Sequence, residues 1–142
     1  MLNGQGVSRL RMILLFTFLT TTMGIAFELY LLGHHEDNWQ LIPLICIGAS
    51  LFFTGLFLFK RTKFNRGLLF IVLLIDALSG LYGVFLHLQA NYEFELEMRP
   101  SLSGWELFKE SLSGALPALA PGSMVIIALI GFSYLTLITN KP

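Results

Sequence analysis

Cysteine is almost absent. The 142 residues hold one, Cys46, inside an apolar run, so the chain can form no internal disulfide, no CxxC redox pair and no zinc ribbon. Charge is scarce as well. Asp, Glu, Lys and Arg make up 13% of the residues against 55% hydrophobic ones, which is too little charge to cover a soluble domain of this size. There is no Gly-rich phosphate loop and no legible Ser/His/Asp set. The three histidines, His34, His35 and His87, all fall near the same end of the apolar runs, an arrangement that offers no buried axial pair for a haem between helices. No cofactor is predicted.

What the chain does have is four long apolar stretches, over about residues 10–33, 40–59, 67–90 and 115–138. Each is near the roughly 20 residues that an α-helix needs to cross a bilayer. The first begins like a secretory signal, with Arg9 and Arg11 before it, but the run from Met12 to Leu32 exceeds the roughly 7–15 residues of a signal core and no small-x-small site follows. It is expected to be a retained helix. The expected fold is therefore an all-α integral membrane protein, a single domain built as a four-transmembrane-helix bundle, with the lipid bilayer as its first partner.

The segments between the runs fix an expected orientation. Lys60, Arg61, Lys63 and Arg66 lie between runs two and three with no acid among them, Arg9 and Arg11 precede run one, and Lys141 follows run four. The other two segments are acidic: Glu36 and Asp37 in one, Glu93, Glu95, Glu97, Glu106 and Glu110 against Arg99 and Lys109 in the other. The positive-inside rule puts both termini in the cytoplasm, and Trp39 and Trp105 at the outer interface where indoles prefer to sit. Size and architecture suggest a bacterial inner membrane. The basic segment is explained by this topology and by anionic headgroups, so no nucleic-acid partner is expected.

The outer loop, about 91–114, is the only long one. Its first part, YEFELEMR, alternates acidic and apolar residues, the period of a strand with one apolar face; an extended tether with aromatics dipping into headgroups is the plainer alternative. Its second part carries Ser103 and Glu106 at capping-box spacing. A short amphipathic helix resting on the outer surface is expected there, with Trp105, Leu107, Phe108 and Leu112 towards the bilayer. Tyr92, Phe94, Trp105 and Phe108 are the candidate partner-contact residues.

The chemistry, if any, centres on Asp76. It lies near the middle of run three, where a carboxyl costs about 2.5–3.5 kcal/mol on insertion scales and should face the bundle interior. Asp76, Ser79, Gly80, Gly83 and His87 share one helical face. Run one offers Thr17, Thr21, Gly24 and Glu28 at similar spacing, and run two lines up Cys46, Ser50 and Thr54. If runs one and three pack through these stripes, Asp76, Glu28, His87 and Ser79 form a polar track, with His35 a further candidate, able to relay protons or bind a cation. The alternative is that Asp76 is neutral or hydrogen-bonded to a hydroxyl and specifies packing. Glu28 is only about a turn from the interface, where the plain reading is a helix-end charge. In GHHEDNW, His35, Glu36 and Asp37 form a candidate metal site; adjacent His34 and His35 point about 100° apart on a helix, and the plainer reading is a solvated loop.

Runs two and four open similarly, LIPLICIGAS and ALPALAPGSM, with Pro43 and Gly48 matching Pro117 and Gly122, the trace that a duplicated hairpin would leave. Pro117 and Pro121 either break the first turns of run four or simply start its helix. In helix count and length the chain resembles small multidrug-resistance transporters, which carry a membrane glutamate in helix one as Glu28 is carried here. Glu28, however, lies nearer the outer end than such a coupling group, and no residue is carried over. Three function classes follow: a non-enzymatic accessory or structural subunit whose outer loop meets a membrane-protein partner or a second copy; a proton- or cation-coupled small transporter or channel; and an outer-surface metal-binding protein or membrane enzyme. The absence of a catalytic set favours the first.

Overall fold

The computed structural model describes residues 4–139, Thr139 by its backbone alone. Lys141 lies outside the described residues. The described chain is all helical, without strands: α1 (Gly4–Leu31), α2 (Asn38–Phe59), α3 (Lys63–Met98), α4 (Gly104–Leu112), a 3-10 turn over Ala120–Gly122, and α5 (Ser123–Thr139). Four stretches, in α1, α2, α3 and Ala120–Ile138, are long and apolar enough to cross a bilayer.

Around the bundle α1 neighbours α2 and α5, and α3 neighbours α2 and α5. The diagonals are therefore α1–α3 and α2–α5. Phe18, Ile47, Phe57, Leu69, Leu73 and Ile127 fill the centre. Gly131 makes room there, since a Cβ on it would come within 2.6 Å of Leu73 and 3.2 Å of Phe18. Large apolar side chains such as Phe16, Phe27, Ile45, Phe52, Ile71 and Leu129 stay exposed around the perimeter. A water-soluble fold would not leave so much apolar surface uncovered.

Two tight turns join the first three helices. Gly33 adopts φ +71°, its N–H bonds to the Tyr30 carbonyl at 3.1 Å, and the His34 N–H bonds to the Leu29 carbonyl at 2.9 Å. This is a Schellman ending, and its left-handed residue favours glycine. At the opposite end Thr62 caps α3 by accepting the Asn65 N–H at 3.1 Å, while the Asn65 amide donates to the Lys60 carbonyl at 2.7 Å. Arg11 closes the same end of the bundle, donating to the Leu137 carbonyl from Nε (3.0 Å) and Nη2 (2.6 Å). That carbonyl is one of those a helix C-terminus leaves unpaired.

Three sequence expectations are corrected. The first concerns the length of α3. It runs on to Met98 rather than ending near residue 90, so YEFELEMR is neither strand nor tether. Its 36 residues span about 54 Å at 1.5 Å each. Gln, Ala, Glu, Leu and Met are strong helix formers, and i,i+4 pairs reinforce them: Gln89 donates to Glu93 at 2.8 Å, and Arg99 pairs with Glu95.

The second correction concerns α4, which packs against α3. Leu107 and Ser111 are buried, so Leu107 faces α3 and not a lipid surface. Ser103 occupies the N-cap without a side-chain bond, and the capping box does not form. The third correction concerns the last helix, which begins at Ser123 and not near 115. Pro121 lies within the 3-10 turn before it, and Pro117 stands in the irregular segment upstream. Pro43, its supposed counterpart, sits inside α2, so the two similar sequences do not build similar structure.

Candidate functional site

Two polar constellations stand out. One is at the middle of the bundle, the other at the end that carries the acidic segments.

The central one is built by α2 and α3. Asp76 is 0% exposed, and Ser50 donates its hydroxyl hydrogen to Oδ2. The other carboxyl oxygen, Oδ1, is buried without a hydrogen-bond partner, as is the Thr54 hydroxyl one turn along α2 from Ser50. Cys46 lies in polar contact with Ser79 and within electrostatic reach of Asp76. The residues 46, 50 and 54 thus form one edge of α2, and α3 runs antiparallel against it with Asp76 opposite Ser50. A carboxyl sealed in this way has a single hydroxyl to balance it, and its unpaired oxygen is costly to keep buried.

The remaining members of the expected track are elsewhere. Helices α1 and α3 are diagonal, so the Thr17–Thr21–Gly24–Glu28 stripe does not meet the Asp76 face. The interior residues of α1 are Phe18 and Thr22, and Glu28 and Gly24 are exposed. The Thr22 hydroxyl is spent within its own helix, on the Phe18 carbonyl at 2.6 Å. His87 is half-buried, with Nδ1 3.2 Å from the Pro117 carbonyl and its ring 6.4 Å from that of His34. His35 stacks on Tyr30 at 5.3 Å instead. His35, Glu36 and Asp37 are exposed, and among the described residues no three His, Cys, Asp or Glu side chains gather as a metal would require.

The second constellation holds the α3–α4 hairpin together. Asn91, on the projecting part of α3, is 2% exposed. Its amide nitrogen donates to the Ser111 carbonyl at 2.9 Å and the Leu116 carbonyl at 2.7 Å, and its oxygen accepts the Leu116 N–H at 2.9 Å. A Cβ on Gly114 would come within 2.5 Å of the Asn91 side chain, so the chain passes Asn91 at a distance only glycine permits. Further along, Arg99 bridges Glu95 and Glu110, with the Glu110 contact at 2.7 Å. The hydrogen bond from Arg99 and then its charge hold Glu110 below its ordinary carboxylate range, and Glu110 and Glu95 in turn push the guanidinium further towards its charged form.

From Asn91 the chain descends along α3 towards α5. Pro117 meets His87, Pro121 packs on Gly83, and Met124 on Gly80. A Cβ on Gly80 would lie 2.8 Å from both the Met124 Cβ and the Pro121 carbonyl oxygen, and one on Gly83 2.7 Å from the Pro121 Cβ. The small residues of α3 are thus fitted to the irregular segment that precedes α5.

Tyr92, Phe94, Trp105 and Phe108 are all exposed on this hairpin. Trp105 stacks on Phe108 at 5.3 Å. Tyr92 and Phe108 also line an apolar groove between α3 and α4, together with Phe85 and Leu88. Asn91, Glu95, Gly114 and Ser111 were not singled out from sequence, although Asn91 and Glu95 stand at i,i+4, the spacing of one helix face.

Geometry of this kind defines an all-helical protein with four candidate membrane spans and a braced helical hairpin at one end. No protein-family model matches the chain, and no curated protein or solved structure is detectably similar to it.

Proposed function

We propose that this chain is a non-enzymatic subunit of a membrane complex, and that the α3–α4 hairpin is the part it presents to its partner. The observation that carries the reading is the clasp at Asn91. A loop that only connected two spans would not need a buried amide making three backbone hydrogen bonds, an arginine bridging two carboxylates and a helix extended well beyond a bilayer's thickness.

In this reading the four apolar helices cross a bacterial inner membrane with both termini cytoplasmic. The basic residues around Arg11, Arg61 and Arg66 support that direction. With Asp76 at the midplane, Asn91 lies 15 residues further along α3, about 22 Å away at 1.5 Å per residue. The hydrocarbon half-thickness is about 15 Å, so the hairpin stands in the outer headgroup region and beyond it. Its exposed aromatics are flanked by Glu93, Glu97 and Glu106. The partner that fits is another membrane protein with an apolar patch and a basic rim on its outer side.

Native mass spectrometry of the protein, gently extracted from its own membrane, tests this. A second protein in fixed ratio is expected, and the double variant Phe94→Ser/Trp105→Ser should release it while leaving the bundle folded. A chain that arrives alone, or a partner held equally well by the variant, would overturn the reading.

One observation favours a second reading, a proton- or cation-coupled transporter: the buried Asp76 with Oδ1 unpaired. Against it, Glu28 and His87 do not join Asp76 in a continuous path. Asp76→Asn abolishes flux from liposomes if this second reading holds; retained flux removes it.

A further inference from the structure

At the opposite end of the molecule from the hairpin, a cleft of about 160 Å³ opens between α1, α5 and the turn after α2. Arg11 and Ser8 come from α1, Arg61 from the turn, and Tyr134 from α5, while Met12, Leu15 and Ile138 form the apolar part of the wall. These groups are distant in sequence and meet only in the fold. Both guanidinium groups lie within electrostatic reach of the Tyr134 hydroxyl, so two cations converge on one side chain that is itself buried.

The local arrangement explains why the cleft stays positive. Among the described residues no carboxylate lines it. Arg11 spends Nε and Nη2 on the Leu137 carbonyl, which fixes the plane of its guanidinium and leaves Nη1 free of that bond. Arg61 is exposed. Two like charges beside one cleft repel each other, and an anion between them would relieve that repulsion. Two guanidiniums, a phenol and a serine hydroxyl are the donor set that suits a phosphate oxygen cluster. The apolar wall beside them suits a chain attached to that phosphate.

We propose that this cleft is a binding site for a phosphate-bearing anion, held by Arg11, Arg61 and the Tyr134 hydroxyl. The site is independent of the hairpin and of any partner there. An anionic lipid headgroup and a soluble phosphate share this chemistry, and the test separates them.

The protein is purified in detergent, and native mass spectrometry compares its retention of phosphatidylglycerol and phosphatidylcholine. In parallel, its melting temperature is followed on adding inorganic phosphate, with chloride at equal ionic strength as control. Phosphatidylglycerol should be retained about tenfold better than phosphatidylcholine, and Arg61→Gln should remove about tenfold of that retention. Tyr134→Phe, which keeps the packing, should lose several-fold. Lys60→Gln removes the same charge next door, outside the cleft, and should change retention less than twofold. If phosphatidylglycerol shows no preference but inorganic phosphate raises the melting temperature in an Arg61-dependent way, the site stands and its ligand is soluble. If neither ligand responds, or Lys60→Gln costs as much as Arg61→Gln, the charge acts only as a diffuse field and the site is refuted.

Discussion

Replacing Asn91 by alanine would remove three hydrogen bonds at once, those to the Ser111 and Leu116 carbonyls and from the Leu116 N–H. The site is buried, so water cannot replace them freely. A typical bond contributes about 0.5–1.5 kcal/mol net, and an orphaned buried group adds desolvation cost. Three together put the loss at roughly 2–4 kcal/mol. The loss should be local, because Asn91 braces the 104–117 segment and not the four-helix core. Local opening is read by amide hydrogen exchange. At about tenfold per 1.4 kcal/mol, the amides of α4 and of residues 113–117 should exchange some 30- to 1,000-fold faster, with those of Leu69, Leu73 and Ile127 unchanged.

Asn91→Asp sharpens the argument. It keeps the shape and the oxygen that accepts the Leu116 N–H, but it replaces the two N–H donors by an oxygen facing two carbonyls. It should open the segment at least as much as alanine does. Two results would refute the reasoning: unchanged exchange in both variants, or an equal loss of protection throughout the core. The first would mean that the clasp does not hold the hairpin. The second would mean that the hairpin and the bundle are a single cooperative unit.

Other outcomes follow from the same geometry. Gly80→Ala drives a Cβ towards the Pro121 carbonyl and the Met124 Cβ, and overpacking of this kind costs about 1–3 kcal/mol; a steric-trap unfolding measurement should show the loss, whereas Gly48→Ala, with nothing within 4 Å, should be neutral or stabilising. His34 is held below the ordinary histidine value of 6.5 by burial and then by His87, so its contribution to the stability of the loop at residues 32–37 is complete above pH 6.5 and is lost as the pH falls from there through the lower folded value; faster exchange of the loop below pH 6.5, abolished in His34→Phe, checks this. Arg99→Ala leaves the buried Glu95 without its cation, and exchange in α4 should rise, with a smaller rise in Arg99→Lys, which cannot bridge two carboxylates with a fork.

The four long helices were legible because hydropathy and length alone report them, and Asp76 was legible as an interior residue because an isolated carboxyl in an apolar run has nowhere else to go. Its partner was left open: a hydroxyl was one expected alternative, and Ser50 lay on the polar line of run two, but the sequence does not say which hydroxyl meets it. The pairing of helices was not legible. Small residues on α1 suggested a face for α3, but glycine and threonine also occur on exposed surfaces, and only the whole bundle decides which pairs are diagonal. The hairpin was misread for a different reason. Glu93, Glu95 and Glu97 fall on alternate positions and imitate a strand, which hid the i,i+4 pairs that extend the helix; the contacts that fold α4 against it join Asn91 and Arg99 to partners 11 to 25 positions away. The Arg11–Leu137 bond, between residues 126 positions apart, leaves no local trace.

The contrast between the two polar constellations bears on what the chain is built to do. Asp76 is paired by one hydroxyl and otherwise shut in by packing; exchanging protons or ions would require the α2–α3 seam to open. At Asn91 every side-chain polar group has a backbone partner, and the segment it grips continues down α3 through Gly83 and Gly80 to the start of α5. A force applied to the hairpin therefore reaches the bundle at the level of Gly80, one turn from Asp76. If a partner shifts the hairpin, the helix seam that seals Asp76 is the part of the bundle nearest to the disturbance. Asp76→Leu removes the sealed carboxyl and adds only Ser50 to the unpaired Thr54 hydroxyl already in the seam, and the Ser50 hydroxyl can turn to the carbonyl one turn back in its own helix. The variant should stabilise the bundle and leave partner retention intact if Asp76 serves packing alone. Loss of retention in a bundle that melts higher would show that the seam must open for the complex to form.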